Sequence, residues 1–75
     1  MNIEYLVKMA NEIAAFFAAE PDGEQAARDM ASHLKRFWEP RMRREIVEYY
    51  RRGGEGLGEL ARRGVALLES ESATG

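Results

Sequence analysis

A chain of 75 residues has room for one small domain, whose single core is marginal without a staple or a partner. It has no cysteine, which excludes disulfides, zinc–cysteine sites and cysteine nucleophiles and fits a reducing compartment. The net charge of −2 is unevenly spread: residues 1–27 carry one basic side chain against five acidic, residues 28–52 eight against four, and residues 53–75 two against four.

Asn2 reads as the N-cap of a first helix over residues 3–19. At about 100° per residue, Ile3, Leu6, Val7, Ala10, Ile13, Ala14 and Phe17 form one stripe. Tyr5, Met9 and Phe16 form a second apolar ridge beside it, so the apolar arc exceeds what a surface helix of a small bundle needs. The surplus predicts contact with something outside the domain. Glu4, Lys8 and Glu12 interrupt any export signal, and no apolar run approaches the roughly 20 residues of a membrane span. The expectation is a cytoplasmic chain with no membrane partner.

Pro21 stops the first helix, and Asp22 followed by Gln25 reads as an N-cap with a capping-box partner. The second helix then spans residues 23–38. Ala26, Met30, His33, Leu34 and Phe37 share one apolar face, Arg28, Lys35 and Arg36 point away or flank it, and Trp38 falls at the edge on the side of Ala27 and Ala31. Pro40 starts a third helix over residues 40–52, with Met42, Ile46, Tyr49 and Tyr50 inward. Arg41, Arg44, Glu48 and Arg51 face outward. Gly53 and Gly54 end it.

"GGEGLGEL" is a glycine-rich turn with neither a Walker lysine nor a preceding strand, so it is not a phosphate loop. A weaker fourth helix over residues 58–69 buries Leu57, Leu60, Ala61, Gly64 and Leu68, with Gly64 costing about 1 kcal/mol against alanine. The expected fold is all-α: a small helical bundle of three main helices plus a weaker C-terminal fourth. Residues 1–69 form the single domain and residues 70–75 a frayed tail.

Catalytic chemistry finds little footing. His33 is the lone histidine and reads as a core-edge residue. Glu45 and Glu48 sit among Arg41, Arg44, Arg51 and Arg52 at helical spacing, which favours solvated ion pairs over acid–base work. Asp22 and Glu24 suit capping and the helix dipole. No catalytic, cofactor-binding or metal-binding set is assigned. Nucleic acid is disfavoured because the pI is near 5.4 and Glu39, Glu45 and Glu48 interrupt the basic band.

Protein binding suits the residues better. "RFWEPRMRR" brings Arg36, Trp38, Arg41, Arg43 and Arg44 together around a proline corner, and Arg and Trp dominate interface hot spots. These five, with Tyr5, Met9 and Phe16 as a second patch, are the expected partner-binding residues; the alternative is a solvated basic face with Trp38 buried in the small core.

"LVKMANEIAAFF", a Pro-Asp turn and then "HLKRFWEPRMRR" resemble the small delta subunit of the cytoplasmic, molybdenum-containing, NAD-dependent formate dehydrogenases. The likeness is strongest over residues 1–52 and looser through the glycine turn and fourth helix. It departs at Glu12 and Gly23. It implies a non-catalytic accessory subunit that docks on the catalytic subunit of formate dehydrogenase and serves assembly, stability or maturation. The larger subunits of such a complex carry molybdenum-pterin, iron-sulfur clusters and FMN, and oxidise formate to carbon dioxide. Two alternatives remain open at this point. One is a maturation chaperone whose Arg41, Arg43 and Arg44 bind the phosphates of the molybdenum-pterin cofactor. The other is a homodimer of the isolated chain that buries the Tyr5–Met9–Phe16 ridge.

Overall fold

Asn2 caps helix α1 (Ile3–Phe17) by accepting the Glu4 amide at 2.8 Å, as the sequence predicts. The computed structural model describes residues 2–74, with side chains through residue 71. Leu6, Ala10 and Ala14 form the fully inward line of α1, with Ile3, Val7, Met9, Ile13 and Phe17 packed against the core's edge.

Helix α2 (Gly23–Phe37) starts at Asp22, whose carboxylate accepts the Glu24 amide at 3.0 Å and the Gln25 amide at 3.4 Å. The expected capping box does not close. Glu20 takes the Asp22 amide at 3.1 Å, and Gln25 turns forward instead to donate to Asp29 at 2.7 Å. Ala26, Ala27, Met30, Ala31 and Leu34 are buried. His33 is only half-buried, and Phe37, expected inward, is exposed. Trp38 explains this difference. It leaves the helix with ψ 140° and is buried in the core at the point where α2 ends, leaving Phe37 outside.

Pro40 opens helix α3 (Pro40–Arg51). Ile46 and Val47 are its buried residues, while Met42 and Tyr50 pack at the core's margin. Its end is a Schellman motif: the Gly54 amide donates to the Tyr49 carbonyl and the Gly53 amide to the Tyr50 carbonyl, both at 3.0 Å. Gly54 has φ +60° there, a conformation that favours glycine.

The following turn is tied down from three helices. Asn11 of α1 donates to the Gly56 carbonyl and accepts the Gly58 amide, each at 2.9 Å. The Tyr49 hydroxyl of α3 donates to the Glu55 carbonyl at 2.6 Å. Arg62 reaches back to the Gly54 carbonyl at 3.0 Å and the Leu57 carbonyl at 3.2 Å.

Helix α4 (Glu59–Thr74) runs past the expected end at residue 69 and includes residues 70–74 of the expected frayed tail; residue 75 lies outside the described residues. Two ion pairs hold its later turns: Lys35–Glu71 at 3.0 Å from α2, and Arg51–Glu69 from α3. Gly64 is a packing requirement. A Cβ there would lie 2.5 Å from Met30 Sδ and 3.0 Å from Met30 Cγ, so α2 and α4 approach closely only because position 64 lacks a side chain. The four helices enclose one core, whose fully buried side chains include Leu6, Met30, Leu34, Ile46, Val65 and Leu68. The described residues contain helices and turns but no strand.

Candidate functional site

Consecutive residues on a helix point about 100° apart, so adjacent large side chains are directed to different parts of its circumference. Two adjacent aromatic pairs divide between core and surface. Phe17 turns partly inward while Phe16 is 76% exposed. Trp38 is buried to 5% exposure while Phe37 is 70% exposed. The outward members are linked across the surface by the inward-leaning Phe17 and by His33. Phe16 and Phe17 meet edge-to-face with centroids 5.1 Å apart, Phe17 and His33 lie at 5.8 Å, and His33 and Phe37 at 4.7 Å. Each spacing falls in the favourable range for ring pairs. The result is an exposed aromatic strip running from the end of α1 onto the last turns of α2.

Two shallow hollows flank the strip. One, of about 250 Å³, is lined by Met9, Glu12, Ile13, Phe16, Phe17 and His33. The other, of about 220 Å³, is lined by Phe17, Asp29, Ser32, His33, Arg36 and Phe37. They adjoin through Phe17 and His33. Tyr5, 56% exposed, continues the α1 ridge away from the strip.

The expected partner-binding residues therefore divide. Tyr5 and Phe16 are exposed, Met9 is half-buried, and Arg36 edges the strip. Trp38 is removed from the surface by its burial and acts as a core residue. Arg43 is turned inward: one guanidinium nitrogen, Nη1, donates to the Lys35 carbonyl at 2.9 Å and the Trp38 carbonyl at 2.7 Å. Those carbonyls belong to the end of α2, where backbone acceptors lack helical partners and the dipole favours a cation. Arg41 and Arg44 are exposed on α3, and Arg44 lines one hollow with Arg43, Arg51 and Glu48, so of the cluster only Arg43 is tied to the end of α2.

His33 is the core-edge residue that its position on α2 suggests, and its ring is sandwiched by two phenylalanines. The expected ion pairing around Glu45 and Glu48 is half-formed. Glu48 pairs with Arg52 at 3.1 Å, but one buried carboxylate oxygen of Glu45 has no hydrogen-bond partner. Among the described residues, no group of three or more His, Asp or Glu is placed to hold a metal ion, and no helix is long and apolar enough to cross a membrane.

The sequence reading missed Phe37 as a surface residue and Asn11 as the clamp on the glycine turn. The adjacent aromatics at residues 37 and 38 were the available signal for the first. Nothing local signalled the second, because Asn11 bonds a segment 45 residues away.

The arrangement can bury apolar surface against another protein and pair one cation, Arg36, at its edge. A family model described as "NADH-dependant formate dehydrogenase delta subunit FdsD" matches residues 5–65. That range takes in the whole strip, the arginines of α3, the glycine turn and the first half of α4. Neither a curated protein nor a solved structure matches the chain.

Proposed function

The chain belongs to the delta-subunit family of NADH-dependent formate dehydrogenases, and from that premise we propose that it is a non-catalytic accessory subunit, docking on the catalytic subunit through its aromatic strip. The observation that carries this reading is the strip itself. Phe16 and Phe37 leave most of their area in water. Monomers rarely expose contiguous apolar patches beyond a few hundred Å², and such patches mark interaction sites. Tyr5, Met9 and Arg36 extend the contact.

Docking of this kind serves assembly or stability of the larger complex in the cytoplasm. Formate oxidation stays with the larger subunits. Binding of the molybdenum-pterin phosphates by Arg41, Arg43 and Arg44 is weakened as a reading, because Arg43 is occupied by the end of α2.

The test is co-purification of the tagged chain with formate dehydrogenase from its native cells. Phe16→Ser/Phe37→Ser should lose the complex, while Arg41→Ser/Arg44→Ser should retain it. Full recovery of the dehydrogenase by the aromatic double variant would overturn the assignment of the strip.

A further inference from the structure

The two ends of the strip differ in charge. The hollow on the α1 side is rimmed by Glu12, and the hollow on the α2 side by Arg36 and by Asp29, whose carboxylate is already engaged by Gln25 at 2.7 Å. Neither Glu12 nor Arg36 has a bonding partner among the described residues. The two hollows meet at Phe17 and His33, so Glu12 and Arg36 lie on opposite sides of the strip's centre. A surface with this layout is complementary to itself. A two-fold axis through the centre lays the α1 half of one copy on the α2 half of the other.

We propose that, before it meets the dehydrogenase, the chain pairs with a second copy of itself through this strip. In the pair, Glu12 of each copy faces Arg36 of the other. Phe37 of each enters the hollow formed by Met9, Ile13, Phe16 and Phe17 of the other.

The area suffices. An aromatic side chain buries about 150–250 Å² when fully covered, so the exposed fractions of Phe16 and Phe37 offer roughly 300 Å² per copy. With the half-buried lining and the charged rim added, the pair reaches the roughly 1,000 Å² of total burial expected of a specific interface. It stays near the lower end of that class, as suits a reversible pair that yields the same surface to another partner. The inference goes beyond docking on the dehydrogenase and does not depend on it: the dimer is read from the mass of the isolated chain, docking from recovery of the complex.

The experiment is sedimentation equilibrium of the purified full chain across concentration, with Glu12→Arg, Arg36→Glu and the double exchange, each checked for helicity by circular dichroism. Glu12 and Arg36 bond nothing among the described residues of their own copy, so the exchanges should leave the fold intact. The wild-type chain should be a concentration-dependent dimer. Each single exchange sets like charges face to face twice, by symmetry, and should weaken the dimer about tenfold or more. The double exchange should restore it to within about threefold of wild type. Phe37→Ser should abolish it. A monomer at all concentrations overturns the proposal. So does a dimer indifferent to the single exchanges, or one that the double exchange fails to rescue.

Discussion

Replacing Arg43 by alanine separates a structural arginine from a docking one. In the native chain its Nη1 donates to the carbonyls of Lys35 and Trp38 at 2.9 and 2.7 Å. A hydrogen bond from a charged donor contributes about 1.5–3 kcal/mol. The two bonds here share one nitrogen, and the Lys35 contact lies at an exposed position where water replaces the donor. The combined loss is therefore about 2 kcal/mol, less than twice the single value. A chain of this length has a total stability of about 4–11 kcal/mol, so the change is a large fraction of it. The melting temperature should fall by roughly 8–16 °C. Urea unfolding followed by the fluorescence of Trp38, the only tryptophan, reads this directly. Arg43→Lys keeps a cation near the end of α2 and should lose only about half as much. Arg41→Ala and Arg44→Ala, whose side chains are exposed and bond nothing among the described residues, should each stay within about 0.5 kcal/mol of wild type. Equal unfolding midpoints for Arg43→Ala and Arg41→Ala would refute the assignment of Arg43 to the α2 terminus.

Four further outcomes are expected. Gly64→Ala should destabilise by about 1 kcal/mol, because the overlap with Met30 exceeds the gain in helix propensity; beside Met30→Ala the same change should become stabilising, as a double-mutant cycle would show. Asn11→Ala should cost about 1–2 kcal/mol and speed hydrogen exchange at the Gly58 amide, which it no longer holds. Trp38→Ala should cost about 3–5 kcal/mol in denaturant titrations, as loss of a buried indole does. Phe16→Ser/Phe37→Ser should leave the unfolding midpoint within about 0.5 kcal/mol of wild type, while docking, measured by titration onto the dehydrogenase, weakens by about 2 kcal/mol or more.

Helix positions were legible because their signals are local. Asn2, Asp22, Pro40 and the Gly53–Gly54 pair act within one turn of themselves, and each marks the boundary that its chemistry demands. The inward stripe of α1 was equally legible from its period. The end of α4 was not, because its later turns are held by Lys35 and Arg51 from other helices. Gly64 read as a weakness of α4 and is instead the point of its close approach to α2, a fact carried by Met30 on another element.

The basic cluster shows the same limit at the level of function. Composition places Arg36, Trp38, Arg41, Arg43 and Arg44 together, yet each side chain's role depends on where α2 ends. Once the chain leaves the helix after Phe37, Trp38 enters the core and Arg43 reaches the freed carbonyls. What looked like one docking cluster thus splits into a corner that holds the fold and a few arginines left in solvent.

That split makes the docking hypothesis unusually separable from stability. The corner residues Trp38 and Arg43 contribute to the unfolding free energy, and so do Asn11 and Gly64. The strip residues Phe16 and Phe37 contribute little to it, since their area stays in water in the folded chain as in the unfolded one. An exposed ring brings the isolated fold a risk of nonspecific association without a matching gain in burial. Two such rings bridged by Phe17 and His33, on a chain short of core, are explained if the burial they lack is completed on another surface. Substitutions on the strip therefore report on partners, and substitutions at the corner on folding. A variant that moved both readouts together from the strip would mean that its rings pack more tightly at home than their exposure indicates.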